Sequence, residues 1–168
     1  ALKESFPNYV HIIKADLFTE EGINHVINLL KDIPINYLVN NAAILGINFL
    51  KDMTFQDYQN IFTTNVIIPA MLSSQLQFNQ EFRIINIYSS LAAHFLKGLG
   101  AYSITKSALD VVTKLSKIEL GIPLTISFIP GIMNTGMQKK TRNYQPLAKE
   151  SQRYLDEGYL ITFLRKSK

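Results

Sequence analysis

The chain has 168 residues, 47% of them hydrophobic and 18% charged, which suits one domain with a buried core and excludes wholesale disorder. Its net charge of +4 lies largely in residues 139–142 and 165–168, with no stacking aromatics interleaved, so a solvated surface and no nucleic-acid partner are expected. There is no cysteine, His11, His25 and His94 are scattered, and no apolar run approaches the ~20 residues of a membrane span. These features exclude a disulfide scaffold and thiolate chemistry and leave a cytoplasmic protein, without a metal or a membrane partner, as the expectation.

Residues 9–13 (Tyr-Val-His-Ile-Ile) read as a strand ending near Asp16. Residues 20–30 carry Ile23, Val26, Ile27 and Leu30 at helical spacing. Residues 36–39 give a second strand, cut off by Asn40-Asn41. Residues 54–77 give a long helix with Phe55, Tyr58, Ile61, Phe62 and Val66 along one face. Inside it Pro69, which has no N–H, cannot donate to the Asn65 carbonyl and predicts a bend. Residues 83–88 form a third strand, residues 102–120 a second long helix and residues 124–129 a fourth strand, stopped by Pro130-Gly131. Beyond Thr135 the pattern is polar and irregular, and no element is assigned there. Strands that are continuously apolar and alternate with helices predict an α/β fold, a parallel sheet with helices on both faces.

Ligands of such sheets bind outside the carboxyl ends of the strands. The residues found there are Asp16, Asn40 to Ala43, Ser89-Ser90 and Pro130 to Thr135, rich in small polar groups. Tyr102 and Lys106 stand one helical turn apart on one face. A tyrosine titrates near ~10, and a lysine cation beside it favours the phenolate. A pKa lowered by ~2–3 units would let Tyr102 exchange a proton with an alcohol or carbonyl oxygen near neutral pH. Ser89, at the end of a strand, offers a hydroxyl for the same oxygen, with Ser90 as the alternative. Asp16 reads equally as a helix cap, Asn40 and Asn41 as turn residues, and Pro130-Gly131 as an ordinary turn. His94 reads as an exposed loop residue, and Phe95, Leu96 and Leu99 as packing residues.

In order and spacing these residues resemble the short-chain dehydrogenase/reductase family, whose motifs run N-N-A-G, a helix Asn, a Ser, Y-x-x-x-K and P-G-x-x-x-T. Here they are Asn40-Asn41-Ala42-Ala43, Asn65, Ser89, Tyr102 to Lys106 and Pro130 to Thr135, and the resemblance covers roughly residues 9–138. It implies a Rossmann-like doubly wound sheet and hydride transfer between NAD or NADP and a carbonyl or secondary alcohol. Tyr102 would be the general acid/base, and Lys106 would tune it and bind the nicotinamide ribose. Ser89 would orient the carbonyl, and Asn65 would hold a relay water, accepted here by its backbone carbonyl. Asp16, Leu17, Asn40 and Ala42 would approach the adenosine half of the cofactor; Pro130, Gly131, Met133 and Thr135 would line its nicotinamide. Met137-Gln138 and residues 155–160 resemble the sepiapterin and benzil reductase branch, which leans the cofactor toward NADP. The family associates through its two long helices, which implies a homodimer or homotetramer.

Two departures stand out. Ala43 replaces the glycine of N-N-A-G, and no glycine cluster matches the family's T-G-x-x-x-G-x-G turn, which receives the pyrophosphate. The chain would then be a single NAD(P)-binding domain over residues 1–168 lacking its first βαβ segment, with strands 3 to 6 of the order 3-2-1-4-5-6 and a two-strand gap. Such a gap predicts a piece of a longer protein that does not fold cooperatively alone. The competing reading is a non-catalytic relative acting as a binding or scaffold module.

Overall fold

Parallel pairing of three apolar segments sets the framework. In the computed structural model, which describes residues 2–122 and 124–157, strand β1 (Ile35–Asn40) pairs with β2 (Phe78–Ile87), and β2 pairs with β3 (Thr125–Phe128), both in parallel. Leu38 stands opposite Ile84 and Ile84 opposite Thr125. Around this sheet lie α1 (Leu2–Ser5), α2 (Glu20–Leu30), α3 (Phe55–Phe62), α4 (Ile68–Gln75), α5 (Gly100–Glu119), α6 (Gly136–Arg142) and α7 (Gln145–Asp156). Strand, helix and parallel strand in succession make this a Rossmann-like α/β fold.

Helices α2, α4 and α5 cover one face of the sheet. Ile23 of α2 meets Ile68, Leu72 and Leu76, with Ile35 and Leu38 of β1 packed against them. On the opposite face Tyr37, Val39, Ile126 and Phe128 remain 48–56% exposed, so among the described residues the sheet is covered on one side only. The expectation of helices on both faces is corrected to that extent. A second correction concerns residues 9–13, which are not a strand. A strand needs a ladder, and among the described residues the only partner of β1 is β2, so nothing presents a row of donors and acceptors to this segment. Its Val10 carbonyl is met instead by the Lys3 ammonium at 2.6 Å.

Three buried side chains link the layers. The Asn40 amide donates to the Asn86 side chain at 2.8 Å, and the Asn86 amide donates to the Thr113 hydroxyl of α5 at 2.8 Å. The long helix expected over residues 54–77 is α3 and α4 joined by a π turn, Thr63–Ile67. Thr54 and Asp57 start it with a reciprocal capping box. The wider turn, in which Ile68 donates to the Thr63 carbonyl, accommodates the missing donor of Pro69. Helices α6 and α7 fill the stretch that the sequence pattern left without elements. Leu147 of α7 is buried against Leu45, Ile61, Leu99 and Tyr102, which brings the pair over the carboxyl ends of the strands.

The start of α2 is held by a close approach that only glycine permits. Thr19 caps it by accepting from Gly22 N–H at 3.0 Å, and a methyl at Gly22 would fall 1.8 Å from the Asp16 carbonyl oxygen. Gly22→Ala raises intrinsic helix propensity, yet it is expected to destabilise the protein by at least ~1 kcal/mol through this overpacking. A lowered urea midpoint is the expected reading; an unchanged or raised midpoint would contradict the close approach.

Candidate active site

Each group at the site is delivered by the end of a regular element. Ser89 follows β2 in extended conformation and accepts from Leu91 N–H at 3.2 Å, which starts a short helical turn. Tyr102 and Lys106 lie in the first two turns of α5, where they are 7% and 2% exposed. Tyr102 and Ser89 line the same cavity, and the Ser89 side chain acts on the Tyr102 phenol to lower its pKa. Lys106 Nζ donates to the Ile87 carbonyl, the last of β2, at 2.7 Å and lies 5.7 Å from the centre of the Tyr102 ring.

Burial controls the charge of both groups. It pushes the Tyr102 phenol above its ordinary value, and the Ser89 side chain, which works the other way, offsets this only in part. It pulls the Lys106 ammonium down to about 8. The expectation that Lys106 holds the Tyr102 pKa below its ordinary value is therefore overturned in this state. The ammonium is engaged with the Ile87 carbonyl, and desolvation of the phenolate dominates. Tyr102 is therefore held as the neutral phenol at neutral pH.

A cavity of about 400 Å³ opens above these groups. Of the residues singled out in the sequence it brings together Ser89, Tyr102, Lys106, Pro130, Gly131, Met133 and Thr135. Gly131 turns the chain after β3 with φ 78°, a left-handed conformation suited to glycine. The cavity does not take in Asp16, Leu17, Asn40, Ala42 or Asn65. Asp16 receives Phe18 N–H on its carboxylate at 3.0 Å before α2, and Leu17 packs against the α2–α4 cluster. Asn40 is buried in the link to Asn86, Ala42 is exposed, and the neighbours Asn41 and Ala43 line the cavity instead. Ser90 also lines it, and Phe95, expected to pack, is 76% exposed.

Asn65 is 1% exposed within the π turn, with its amide fully engaged. It accepts from Ile44 N–H at 2.9 Å and donates to the Ile44 carbonyl at 2.9 Å and the Thr105 hydroxyl at 3.0 Å. The sequence reading missed the wall that α6 and α7 contribute, which includes Gln138, Leu147, Glu150, Ser151 and Tyr154. The signal was present, because the last four recur at the spacing of one helical face. Among the described residues there is no cluster of His, Asp or Glu fit to hold a metal, and no helix is long and apolar enough to cross a membrane.

Comparison with known proteins follows the same lines. A family model described as short chain dehydrogenase matches residues 1–146. Rat sepiapterin reductase (Rattus norvegicus) is 26% identical over 172 residues, which cover 90% of this chain and 65% of that protein. Benzil reductase ((S)-benzoin forming) of Bacillus subtilis (strain 168) is 29% identical, over 63% of this chain and 48% of its own length. The chain thus spans about half to two thirds of these curated relatives. Among solved structures, a blue fluorescent protein from a metagenomic library, in complex with NADPH, superposes with a TM-score of 0.71 at 27% identity, over 80% of this chain and 57% of that one.

The buried lysine gives a pH signature. An NMR titration of lysine side-chain carbons is expected to show Lys106 changing charge at about 8, well below the ~10.4 of an ordinary lysine. In the unfolded chain the amine regains its ordinary affinity for protons. The buried ammonium therefore costs stability below pH 8, and the cost is relieved as pH rises from there toward ~10.4. Lys106→Met should abolish both the low titration and its share of the rise in stability. A Lys106 midpoint at the ordinary value would contradict the burial described here.

Proposed function

Because the chain belongs to the short-chain dehydrogenase family, we propose that it carries the Ser-Tyr-Lys site of an NAD(P)-dependent oxidoreductase that interconverts a carbonyl and a secondary alcohol. The observation that supports this reading is the convergence of Ser89, Tyr102 and Lys106 in one cavity at the carboxyl end of the sheet. The residues present fit the nicotinamide end of such a cofactor. Lys106 Nζ spends one donor on Ile87 and keeps two for ribose hydroxyls, and Gly131 leaves its wall free of a side chain beside Met133 and Thr135. When bound, the reduced nicotinamide supplies a hydride to the carbonyl carbon.

The protein's own part is to handle the oxygen. Ser89 and Tyr102 donate hydrogen bonds to the carbonyl oxygen, which fixes the carbon and stabilises the charge that develops on the oxygen. Tyr102, held protonated by its burial, gives its proton to that oxygen, so the alcohol leaves with one hydride and one proton added. Lys106, cationic below about pH 8, stabilises the phenolate left behind. The backbone carbonyl of Asn65, whose amide is spent on Ile44 and Thr105, is the proposed holder of a water that returns the proton.

For the cofactor, NADP is favoured over NAD on the likeness to an NADPH-bound protein. Asp16, Leu17 and Ala42 would face its adenosine half, with Asn40 holding the end of β1 from behind. The substrate is a small carbonyl compound or alcohol. A cytoplasmic homodimer or homotetramer joined through the two long helices is part of the same proposal; the exposed Val111, Leu115 and Ile118 on α5 support the association.

In the cofactor-binding protein, Tyr102→Phe is expected to lower kcat by at least ~10²-fold with little change in cofactor affinity. Lys106→Ala should weaken both turnover and cofactor binding. Steady-state kinetics with NADPH and NADH, and fluorescence titration of each cofactor, read these effects. Near-normal turnover by Tyr102→Phe would place the proton donor elsewhere.

A further inference from the structure

Helix α7 turns four side chains into the cavity, Leu147, Glu150, Ser151 and Tyr154, at the i, i+3, i+4, i+7 spacing of a single face. An inward stripe of this kind is ordinarily apolar, and Leu147 follows that rule, at 4% exposed. Lys149, Gln152 and Arg153 of the same helix are exposed. Glu150 is the exception, a carboxylate on the stripe that faces the cavity.

The neighbouring polar groups are already committed. The Thr141 and Ser151 hydroxyls bond each other, one donating to its neighbour and that neighbour donating on to the Gln138 side-chain oxygen. Glu150 differs. Its Oε1 receives the Tyr154 hydroxyl at 2.7 Å, and this bond fixes the carboxylate along the helix. A carboxylate has about four acceptor sites, and among the described residues no Lys or Arg forms an ion pair with it. The rest of the cavity lining includes Leu45, Leu91, Leu96 and Met137, which offer no side-chain donor. A fixed anion with spare acceptors beside an apolar wall is stabilised by a ligand that brings its own donors.

We propose that Glu150, positioned by Tyr154, is a specificity-determining residue that selects substrates carrying an ammonium or other N–H donor group at the end remote from the reacting carbonyl. This rests on the Ser89–Tyr102–Lys106 reading above for the position of the carbonyl and adds the chemistry of the substrate's other end. The substrate class is then an amino- or amidine-bearing aldehyde or ketone that reaches both Tyr102 and Glu150, which line the same cavity. A plain hydrocarbon ketone of the same size would leave the carboxylate unmatched.

The test uses para-aminomethyl acetophenone and para-methyl acetophenone, which share the carbonyl and differ in the remote group. Their affinities are measured by calorimetry on the wild-type protein and on Glu150→Gln, which keeps the size and the acceptor for Tyr154 but removes the charge. The amine-bearing ketone is expected to bind the wild type about tenfold more tightly than its methyl analogue, the scale of one charge-assisted bond. In Glu150→Gln the ratio should fall close to one. Equal affinities in the wild type, or a preference that survives Glu150→Gln, would overturn the assignment. Turnover of the same pair with NADPH and NADH reports separately on the oxidoreductase reading. A binding preference that Glu150→Gln abolishes, without reduction of either ketone, would sink that reading and leave the Glu150 subsite standing.

Discussion

The amide of Asn65 closes three segments on one another. It holds both backbone groups of Ile44, in the loop that leaves β1, and the hydroxyl of Thr105, which sits between Tyr102 and Lys106 on α5. At 1% exposure an unmatched amide would be costly, so this geometry allows little choice. The loop after β1, the π turn and the head of α5 therefore keep a common position. Thr105 extends the lock by donating to the Tyr102 carbonyl at 2.8 Å. The chemistry proposed for Tyr102 depends on this clamp more than on any single contact that Tyr102 itself makes. The π turn is part of the same solution, since it widens the helix just ahead of Pro69, where a regular α-helix would lack a donor.

Burial then sets the protonation of the site, moving the two pKa values in opposite directions because it favours the uncharged form of each group. It keeps the phenol of Tyr102 neutral and makes the ammonium of Lys106 easier to lose. The Ile87 carbonyl compensates the lysine for part of its lost water, and this bond also ties α5 to the last residue of β2. Ser89 lies two residues beyond that carbonyl. One short stretch of chain therefore anchors the lysine and presents the serine, and the spacing between them is set by the strand end rather than by a flexible loop.

Much of this was legible in the sequence, because the strands and helices concerned are apolar and periodic. Glu20–Leu30 was readable to the residue, and the cores of β1, β2, β3 and α5 were placed, with ends differing by a few residues. Ser89 was found by the rule that strand ends carry ligands, and Tyr102 and Lys106 by their one-turn spacing on a helix; the cavity brings the three together. What failed did so for physical reasons. Residues 9–13 have the composition of a strand, but a strand exists only with a ladder, and β1 pairs only with β2 among the described residues. The Tyr102 pKa was expected to move the other way because sequence spacing shows that a lysine is near but not what the lysine bonds. Residues 158–160, the end of the stretch that resembles the sepiapterin and benzil reductase branch, lie outside the described residues.

The blind spot over α6 and α7 has a different origin, which bears on how the site divides its labour. The floor of the cavity comes from strand ends and the head of α5, where burial on several sides imposes apolar periodicity. The wall comes from two short helices that pack by one stripe each and otherwise meet water, so polar residues dominate their sequence. Only Leu147, Ser151 and Thr141 are buried there, and two of these are hydroxyls satisfied by each other and by Gln138. A segment held by so small an apolar stripe can change its cavity-facing residues without disturbing the sheet. Under the proposed function, selectivity is free to vary on α7 while Asn65, Thr105 and Ile87 hold Tyr102 and Lys106 in place.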